Sequence, residues 1–152
     1  MEALQDRFAP DNQCFGCGPK NTQGLKIKSY VEGDVVVAQF QPKPHHQAFD
    51  NVLSGGICGC LLDCHSNWCA AYAIMQERQE DSPPCTVTAR YAVELLQPTP
   101  MNTSLTLYAR VRLVTQKKAE IMAELMAHGV CTARCEGLFV AVSPGHPAYH
   151  RW

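Results

Sequence analysis

The chain has 152 residues, of which 46% are hydrophobic and 18% charged, and its formal net charge is −1. This length and composition predict one globular domain over residues 1–152, and the absence of a basic bias or of a zinc-finger or helix-turn-helix spacing argues against nucleic acid as a partner. Neither a signal sequence nor an apolar run of about 18 residues is present, so we expect a cytoplasmic protein with no membrane partner.

The first 24 residues predict an irregular segment, because prolines and glycines interrupt them repeatedly. Two strands then follow at 25–31 and 35–42. The EGD tripeptide between these strands predicts that they form a hairpin.

The next stretch, residues 43–54, is proline-rich and then polar, which predicts a loop leading into a helix. Apolar residues then recur at steps of three and four from about Gly55 to about Glu80, which is the period of an amphipathic helix. Ser54 immediately precedes this pattern, and its hydroxyl is suited to cap the free amides of the first turn.

Four strand-like runs follow Pro84, separated by turn signals, at 85–98, 103–116, 119–129 and 130–142. The run AEIMAELMA favours a helix by propensity, but the two-residue links on either side favour a meander of strands. The whole order predicts an α+β fold in which one long helix packs against a six-stranded antiparallel sheet.

Nine cysteines without a secretory signal indicate reduced thiols rather than a disulfide framework. CFGC at 14–17 has the C-x-x-C spacing of a zinc or redox site, but structural zinc needs four ligands and no second C-x-x-C follows. Cys64 with His65, or Cys131 with Cys135, would complete such a site only if folding happened to bring them close. We therefore interpret CFGC as a tight glycine turn and predict no metal.

The start of the long helix is a candidate site for binding negative charge. Gly55 and Gly56 allow a ligand close to the backbone, where free amides and the helix dipole would stabilise an oxyanion. The alternative is that the glycine pair only permits a tight turn into the helix.

Asp63 is the only charged residue between Asn51 and Gln76. It lies eight residues beyond Gly55, or about 12 Å along a helix axis, which is too far to act on the same carbonyl. Two copies with antiparallel helices would bring Asp63 of one chain near the glycine turn of the other. The alternative is a polar position on a partly exposed helix face, or a carboxylate that accepts a hydrogen bond from a core hydroxyl.

The arrangement resembles the hot-dog-fold acyl-CoA thioesterases of the phenylacetic-acid-degradation type, within the 4-hydroxybenzoyl-CoA thioesterase superfamily. The resemblance covers nearly the whole chain. The stretches that carry it are CFGCGPKNTQGL, LSGGICGCLLD, YAVELLQPTP and ARCEGLFVAV.

The family motif at the helix is usually His-Gly-Gly followed at a fixed spacing by an acidic residue, and Gly55, Gly56 and Asp63 match it. The resemblance implies that the Gly55 amide binds the thioester carbonyl and that Asp63 of the opposite subunit is a general base or nucleophile. Ser54 stands where the family usually has the histidine, so that role falls to a shorter hydroxyl or is lost.

Family members often place an Asn, Gln or His before the motif, and His46, Gln47 and Asn51 are the candidates here. Some members use a Ser or Thr on the following strand to hold water. The count back from Pro98 indicates Thr88, with Thr86 as the alternative, and either is equally a plain strand threonine.

The implied function is hydrolysis of an acyl-CoA to free acid and CoA by a homodimer or a tetramer, with no cofactor beyond the coenzyme A of the substrate. Arg90 is our candidate for contact with the CoA phosphates, although such charges are also usual on a solvated strand. The alternatives are a non-catalytic acyl-CoA-binding protein and a hot-dog dehydratase or hydratase. The paired His-Asp or His-Glu motif that the last would need is not found in the sequence.

Overall fold

The computed structural model describes residues 1–150 and Trp152. A six-stranded antiparallel sheet, a two-stranded hairpin and two helices make up the fold. The elements in chain order are α1 Leu4–Phe8, β1 Ser29–Glu32, β2 Val35–Phe40, β3 Gln47–Phe49, β4 Val52–Leu53, α2 Gly55–Arg78, β5 Thr86–Leu95, β6 Leu105–Val114, β7 Lys118–Ala127 and β8 Val130–Ala141.

The strands of the large sheet lie in the order β1-β2-β6-β7-β8-β5, and α2 packs across one face of it. The core forms where this helix meets the inward residues of the strands, because each element has one apolar face to bury. Its largest fully buried apolar side chains include Leu61, Leu62, Trp68, Ile74, Leu105, Leu107, Ile121, Leu125 and Phe139. The predicted hot-dog arrangement of helix and sheet is confirmed.

The AEIMAELMA run is strand β7, as predicted. Its buried residues alternate with more exposed ones, with Ala119, Ile121, Ala123 and Leu125 facing the core. A period of two suits one face of a sheet, whereas a helix would place these side chains on different sides.

Helix α2 begins at Gly55 as predicted and ends at Arg78, two residues earlier than expected, where Gln79 takes a left-handed φ of 56°. Ser54 precedes the helix, but the prediction that its hydroxyl caps the first turn is wrong, since that side chain forms no cap hydrogen bond. The Ser54 N–H instead donates to the His46 carbonyl at 2.9 Å, so the backbone holds the turn. Among the described residues, no helix is both long and apolar enough to cross a membrane.

Two segments have more structure than their composition predicts. The N-terminal 24 residues include α1, and the expected loop 43–54 is a short 3-10 helix at Pro44–His46 followed by the β3–β4 hairpin. Conversely, the first strand begins at Ser29 rather than at residue 25. Lys26 has φ 52°, which interrupts an extended chain.

Candidate active site

Asp63 lies half-buried on α2 and is held by a hydroxyl from β5. Thr88 Oγ1 donates a hydrogen bond to Asp63 Oδ1 at 2.6 Å. Thr86, the other candidate threonine, is fully buried and donates to Asn67 Oδ1 at 2.8 Å. The structure therefore brings Thr88 to the carboxylate and places Thr86 in the core.

A β-bulge next to Thr88 decides which side chains of β5 face the helix. The pairing with β8 shifts between Thr88 and Arg90, so that Thr88 is opposite Phe139 while Tyr91 is opposite Gly137. Residues 137 and 139 lie on the same face of β8, because side chains of a strand alternate. Thr88 and Tyr91 therefore both face α2, although they are three positions apart and a regular strand would separate them.

The face of α2 that carries Gly55, Gly59 and Asp63 runs along this inner side of β5. A Cβ added at Gly55 would lie 2.9 Å from Leu95 Cδ1, and one at Gly59 would lie 3.9 Å from the Tyr91 hydroxyl. Leu95 is 59% exposed and Tyr91 is 44% exposed. The groove between helix and strand is thus open to solvent at the edge of the sheet.

Sequence reasoning did not select Tyr91 as a site residue. Partial desolvation, and next the negative charge of Asp63, raise the pKa of the Tyr91 phenol, so its hydroxyl remains a hydrogen-bond donor over the physiological pH range. The residue lies within the YAVELLQPTP stretch, but the bulge that turns it inward has no signal in the sequence.

The helix start offers backbone donors at the other end of the groove. The first-turn amides of α2, beginning with Gly55, have no partner within the helix, and the helix dipole adds partial positive charge there. Gly55 is half-buried and Gly56 is exposed, so a ligand can reach this turn. The eight residues from Gly55 to Asp63 span about 12 Å of helix.

The three candidates before the helix differ in their surroundings. His46 is buried, its Nδ1 accepts the Lys43 N–H at 3.0 Å, and burial is the main cause that lowers its pKa, so this ring supports the loop. Gln47 and Asn51 are exposed, on the hairpin that leads into the helix. Gln47 pairs with Leu53, two residues before Gly55.

His65 lies in the core, as its position on another face of the helix predicts. Its Nδ1 lies 2.8 Å from Ser29 Oγ, and its Nε2 lies 2.9 Å from the Val36 carbonyl oxygen. Complete burial lowers its pKa to about 4, against the opposing effect of the Val36 hydrogen bond. It is a neutral structural residue.

The large depressions on the outer face of the sheet are not lined by Asp63. One of about 530 Å³ is lined by residues that include Arg112, Arg134 and Glu136. Arg112 contacts Glu136 at 3.7 Å, and Arg134 contacts Glu94 at 3.2 Å, so opposite charges balance much of this surface. Charge-balanced surface ion pairs indicate no chemistry by themselves, so this depression adds no candidate to the groups around Asp63.

A cluster of cysteine sulfurs lies beside Asp63, where α2 meets the CFGC turn. The sulfur atoms of Cys14, Cys17 and Cys64 all lie within 4.8 Å of one another. Hydrogen bonds from the Cys17 and Cys64 thiols hold the pKa of the Cys14 thiol well below its usual range. The predicted tight turn is present, since the Gly18 N–H donates to the Cys14 carbonyl at 2.8 Å, but the sequence spacing did not predict the third sulfur.

No protein-family model and no curated protein matches the chain. Among solved structures, it is similar to a thioesterase superfamily protein from Shewanella loihica PV-4, with 30% identity, a TM-score of 0.65, and coverage of 82% of this chain and 98% of the other.

Two further solved structures share the fold at lower identity. The E. coli PaaI protein from the phenylacetic acid degradation operon is 16% identical with a TM-score of 0.63, over 78% of this chain and 81% of the other. A phenylacetic acid degradation-related protein from Ralstonia eutropha JMP134 is also 16% identical with a TM-score of 0.63, over 77% and 86%. The identity and nearly complete coverage of the Shewanella protein show that this chain belongs to the thioesterase superfamily.

Proposed function

We propose that the protein is an acyl-CoA thioesterase that hydrolyses an acyl-CoA thioester to free acid and coenzyme A at a site shared across a homodimer. The observation that carries this proposal is the 2.6 Å hydrogen bond from Thr88 Oγ1 to Asp63 Oδ1 in an open groove. In a chain of the thioesterase superfamily, a carboxylate oriented in this way is a suitable base or nucleophile.

In the base mechanism, Asp63 accepts a proton from water as the water oxygen attacks the thioester carbonyl carbon. The carbonyl electron pair moves onto the oxygen, where the Gly55 N–H at the helix start stabilises the oxyanion. Collapse of the tetrahedral intermediate expels the coenzyme A thiolate, which takes up the proton. In the nucleophilic variant, a carboxylate oxygen of Asp63 attacks the carbonyl carbon and displaces the coenzyme A thiolate, and water then hydrolyses the resulting anhydride to the free acid and the Asp63 carboxylate.

Thr88 acts in both variants as a positioning group. Its hydroxyl donates a hydrogen bond to Asp63, and the lone pairs of its oxygen can still accept a hydrogen bond from a water molecule. The Tyr91 hydroxyl, on the same side of β5, is a second donor beside the groove.

Two features of this chain support the proposed dimer. The 12 Å or so between Gly55 and Asp63 prevents one chain from serving one carbonyl with both groups. Strand β5 is ten residues long, lies at the end of the sheet and exposes Tyr91 and Leu95, and the exposed Leu96 follows it directly. A long apolar edge strand is a template for pairing, so we expect a partner subunit to cover it and to complete two sites. Association of two such dimers into a tetramer remains a prediction.

On the substrate side, the exposed Gln47 and Asn51 flank the helix start and are our candidates to contact the acyl carbonyl or the attacking water. Arg90 is exposed on β5, and among the described residues no carboxylate lies within ion-pair distance of it. Arg90 is therefore a better candidate to bind the CoA phosphates than Arg112 or Arg134, because those two arginines already form ion pairs with carboxylates.

Coenzyme A enters as part of the substrate, and each step above uses the protein's own groups. We propose a cytoplasmic location, because a chain with nine cysteines stays reduced most readily in that compartment.

The test is hydrolysis of a panel of short, medium, long and aromatic acyl-CoAs, measured as released acid so that the cysteines do not interfere. Asp63→Asn is expected to reduce kcat by about 10²- to 10⁴-fold, the usual contribution of a general base. Asp81→Asn, in the exposed turn after α2, is the matched control and is expected to keep full activity.

A non-catalytic acyl-CoA-binding protein is the second candidate, because Ser54 has replaced the family histidine and its hydroxyl does not cap the helix. Binding of acyl-CoA without turnover by the wild type on every substrate would establish it. Equal turnover by wild type and Asp63→Asn would contradict the role of the carboxylate.

A further inference from the structure

The N-terminal segment and helix α2 meet at four cysteines. Cys14 and Cys17 belong to the CFGC turn, while Cys60 and Cys64 lie one helical turn apart on α2. We infer that these cysteines form a structural zinc site, with Cys14, Cys17 and Cys64 as ligands and Cys60 as the fourth. This inference does not depend on the proposed activity.

The spacing of the sulfurs agrees with a shared cation. Thiolates bound to tetrahedral zinc at about 2.3 Å lie about 3.8 Å from one another. The Cys14 and Cys64 sulfurs are 3.8 Å apart, and Cys17 completes a triangle in which every pair lies within 4.8 Å. Three sulfurs that all lie close to one another are better explained by a shared metal ion than by a disulfide, because a disulfide joins only two.

The CFGC turn has the backbone geometry that a cysteine ligand loop needs. The Gly18 N–H closes the turn on the Cys14 carbonyl at 2.8 Å, which places Cys14 and Cys17 at the two ends of one tight turn. The Trp68 indole N–H donates to the Cys17 sulfur at 3.3 Å. Such donors spread the negative charge of a thiolate and orient it toward a metal.

Gly16 lets the turn approach the helix sulfurs. A Cβ at this position would lie 2.3 Å from the Cys64 sulfur and 2.9 Å from the Cys60 sulfur. The sulfurs of Cys60 and Cys64 therefore both lie against Gly16, and Cys60, one helical turn before Cys64, is the candidate for the fourth ligand. Soft thiolate sets in tetrahedral arrangement select zinc among the common divalent cations.

The site would clamp the N-terminal segment onto α2 beside Asp63. The four cysteines are half-buried or buried, and structural zinc sites are closed by four protein ligands. The sequence predicted no metal because only one C-x-x-C is present. The helix supplies the other pair at a spacing of four, which a search for a second C-x-x-C does not detect.

The experiment uses the whole protein, purified under reducing conditions and analysed for metal, then stripped and titrated with Co²⁺ as a spectroscopic substitute for zinc. We expect about one zinc per chain and, with cobalt, the sulfur-to-metal charge-transfer band and visible spectrum of a tetrahedral thiolate site. Bound zinc should protect the four cysteines from alkylation, as located by mass spectrometry, while Cys85 and Cys131 still react.

Cys17→Ser and Cys64→Ser should each lose the stoichiometric zinc, and Cys85→Ser, outside the cluster, should keep it. Should the ligand variants fail to fold, the cobalt spectrum and the alkylation map of the wild type decide the question alone. Absence of the charge-transfer band, equal alkylation with and without zinc, or a Cys14–Cys64 disulfide in protein that binds no metal would overturn the inference.

Discussion

The buried histidine of α2 makes stability sensitive to mild acid. His65 has no exposed surface and is held by Ser29 and the Val36 carbonyl, while Gln5 Nε2 donates to the same Ser29 hydroxyl at 2.9 Å. Desolvation lowers the pKa of His65 from 6.5 to about 4. The imidazole is therefore neutral in the native protein at pH values where the unfolded chain already takes up a proton.

The direction and the size of the change in stability with pH follow from these two pKa values. As the pH falls below 6.5, the unfolded state gains a proton that native His65 does not accept, so stability that is complete above pH 6.5 is lost progressively toward pH 4. The shift corresponds to about 3 kcal/mol in full, and about 2 kcal/mol of it is lost between pH 7.5 and pH 5. Because His65 is fully buried, solvent screening does not reduce this figure appreciably.

Urea unfolding at a fixed chain concentration, from pH 7.5 to pH 5, measures this loss as a change in the free energy of unfolding. His65→Leu should be less stable at pH 7.5 but should lose about 2 kcal/mol less than the wild type over the same interval. His128→Asn is the control, because this exposed turn residue has φ 51°, which Asn tolerates. An unchanged pH dependence in His65→Leu would refute the reasoning; the lowered pKa of His46 acts in the same direction but is common to all the variants.

Substitutions along the groove test the remaining parts of the proposed site. Thr88→Val should lower kcat/KM by about 10- to 100-fold, because it removes a hydrogen bond to a charged group worth about 1.5–3 kcal/mol, and Thr88→Ser should restore most of it; equal rates would show that Asp63 needs no such partner. Gly55→Ala should reduce turnover more than Gly56→Ala. The new methyl group at residue 55 would crowd the groove at 2.9 Å from Leu95 Cδ1, whereas at residue 56 the nearest atom is 3.6 Å away. A larger loss of turnover in Gly56→Ala than in Gly55→Ala would contradict carbonyl binding at Gly55. Leu95→Lys should weaken self-association in sedimentation experiments at several concentrations, and an unchanged dimer would exclude this strand edge as the interface.

Much of the fold was predictable because it depends on local patterns. Strand β7 shows why, since its helix-favouring residues were assigned correctly from the short links around them and their burial alternates with a period of two. The start of α2 at Gly55 followed in the same way from the apolar period. The Ser54 cap was predicted from residue type alone and was wrong, because its hydroxyl forms no hydrogen bond with the first turn of α2. The Ser54 N–H donates to the His46 carbonyl, which fixes the chain before the helix but leaves the first-turn amides free.

The sequence by itself determined the order of the long helix and the six strands of the large sheet, the place of the glycine turn and the eight-residue separation of Asp63 from it, since these depend on residue type and on helix rise. Only the tertiary structure decided that Thr88 rather than Thr86 reaches Asp63, because both lie on the same face of β5 and the way α2 crosses that strand sets Thr86 opposite Asn67 and Thr88 opposite Asp63. Only the tertiary structure likewise places Tyr91 on that face, because the bulge after Thr88 reorients the side chains beyond it. Likewise, only folding brings Cys14 within 3.8 Å of Cys64, fifty residues later. Contacts between distant segments depend on how α2 lies on the sheet and the N-terminal turn, and no local pattern records that.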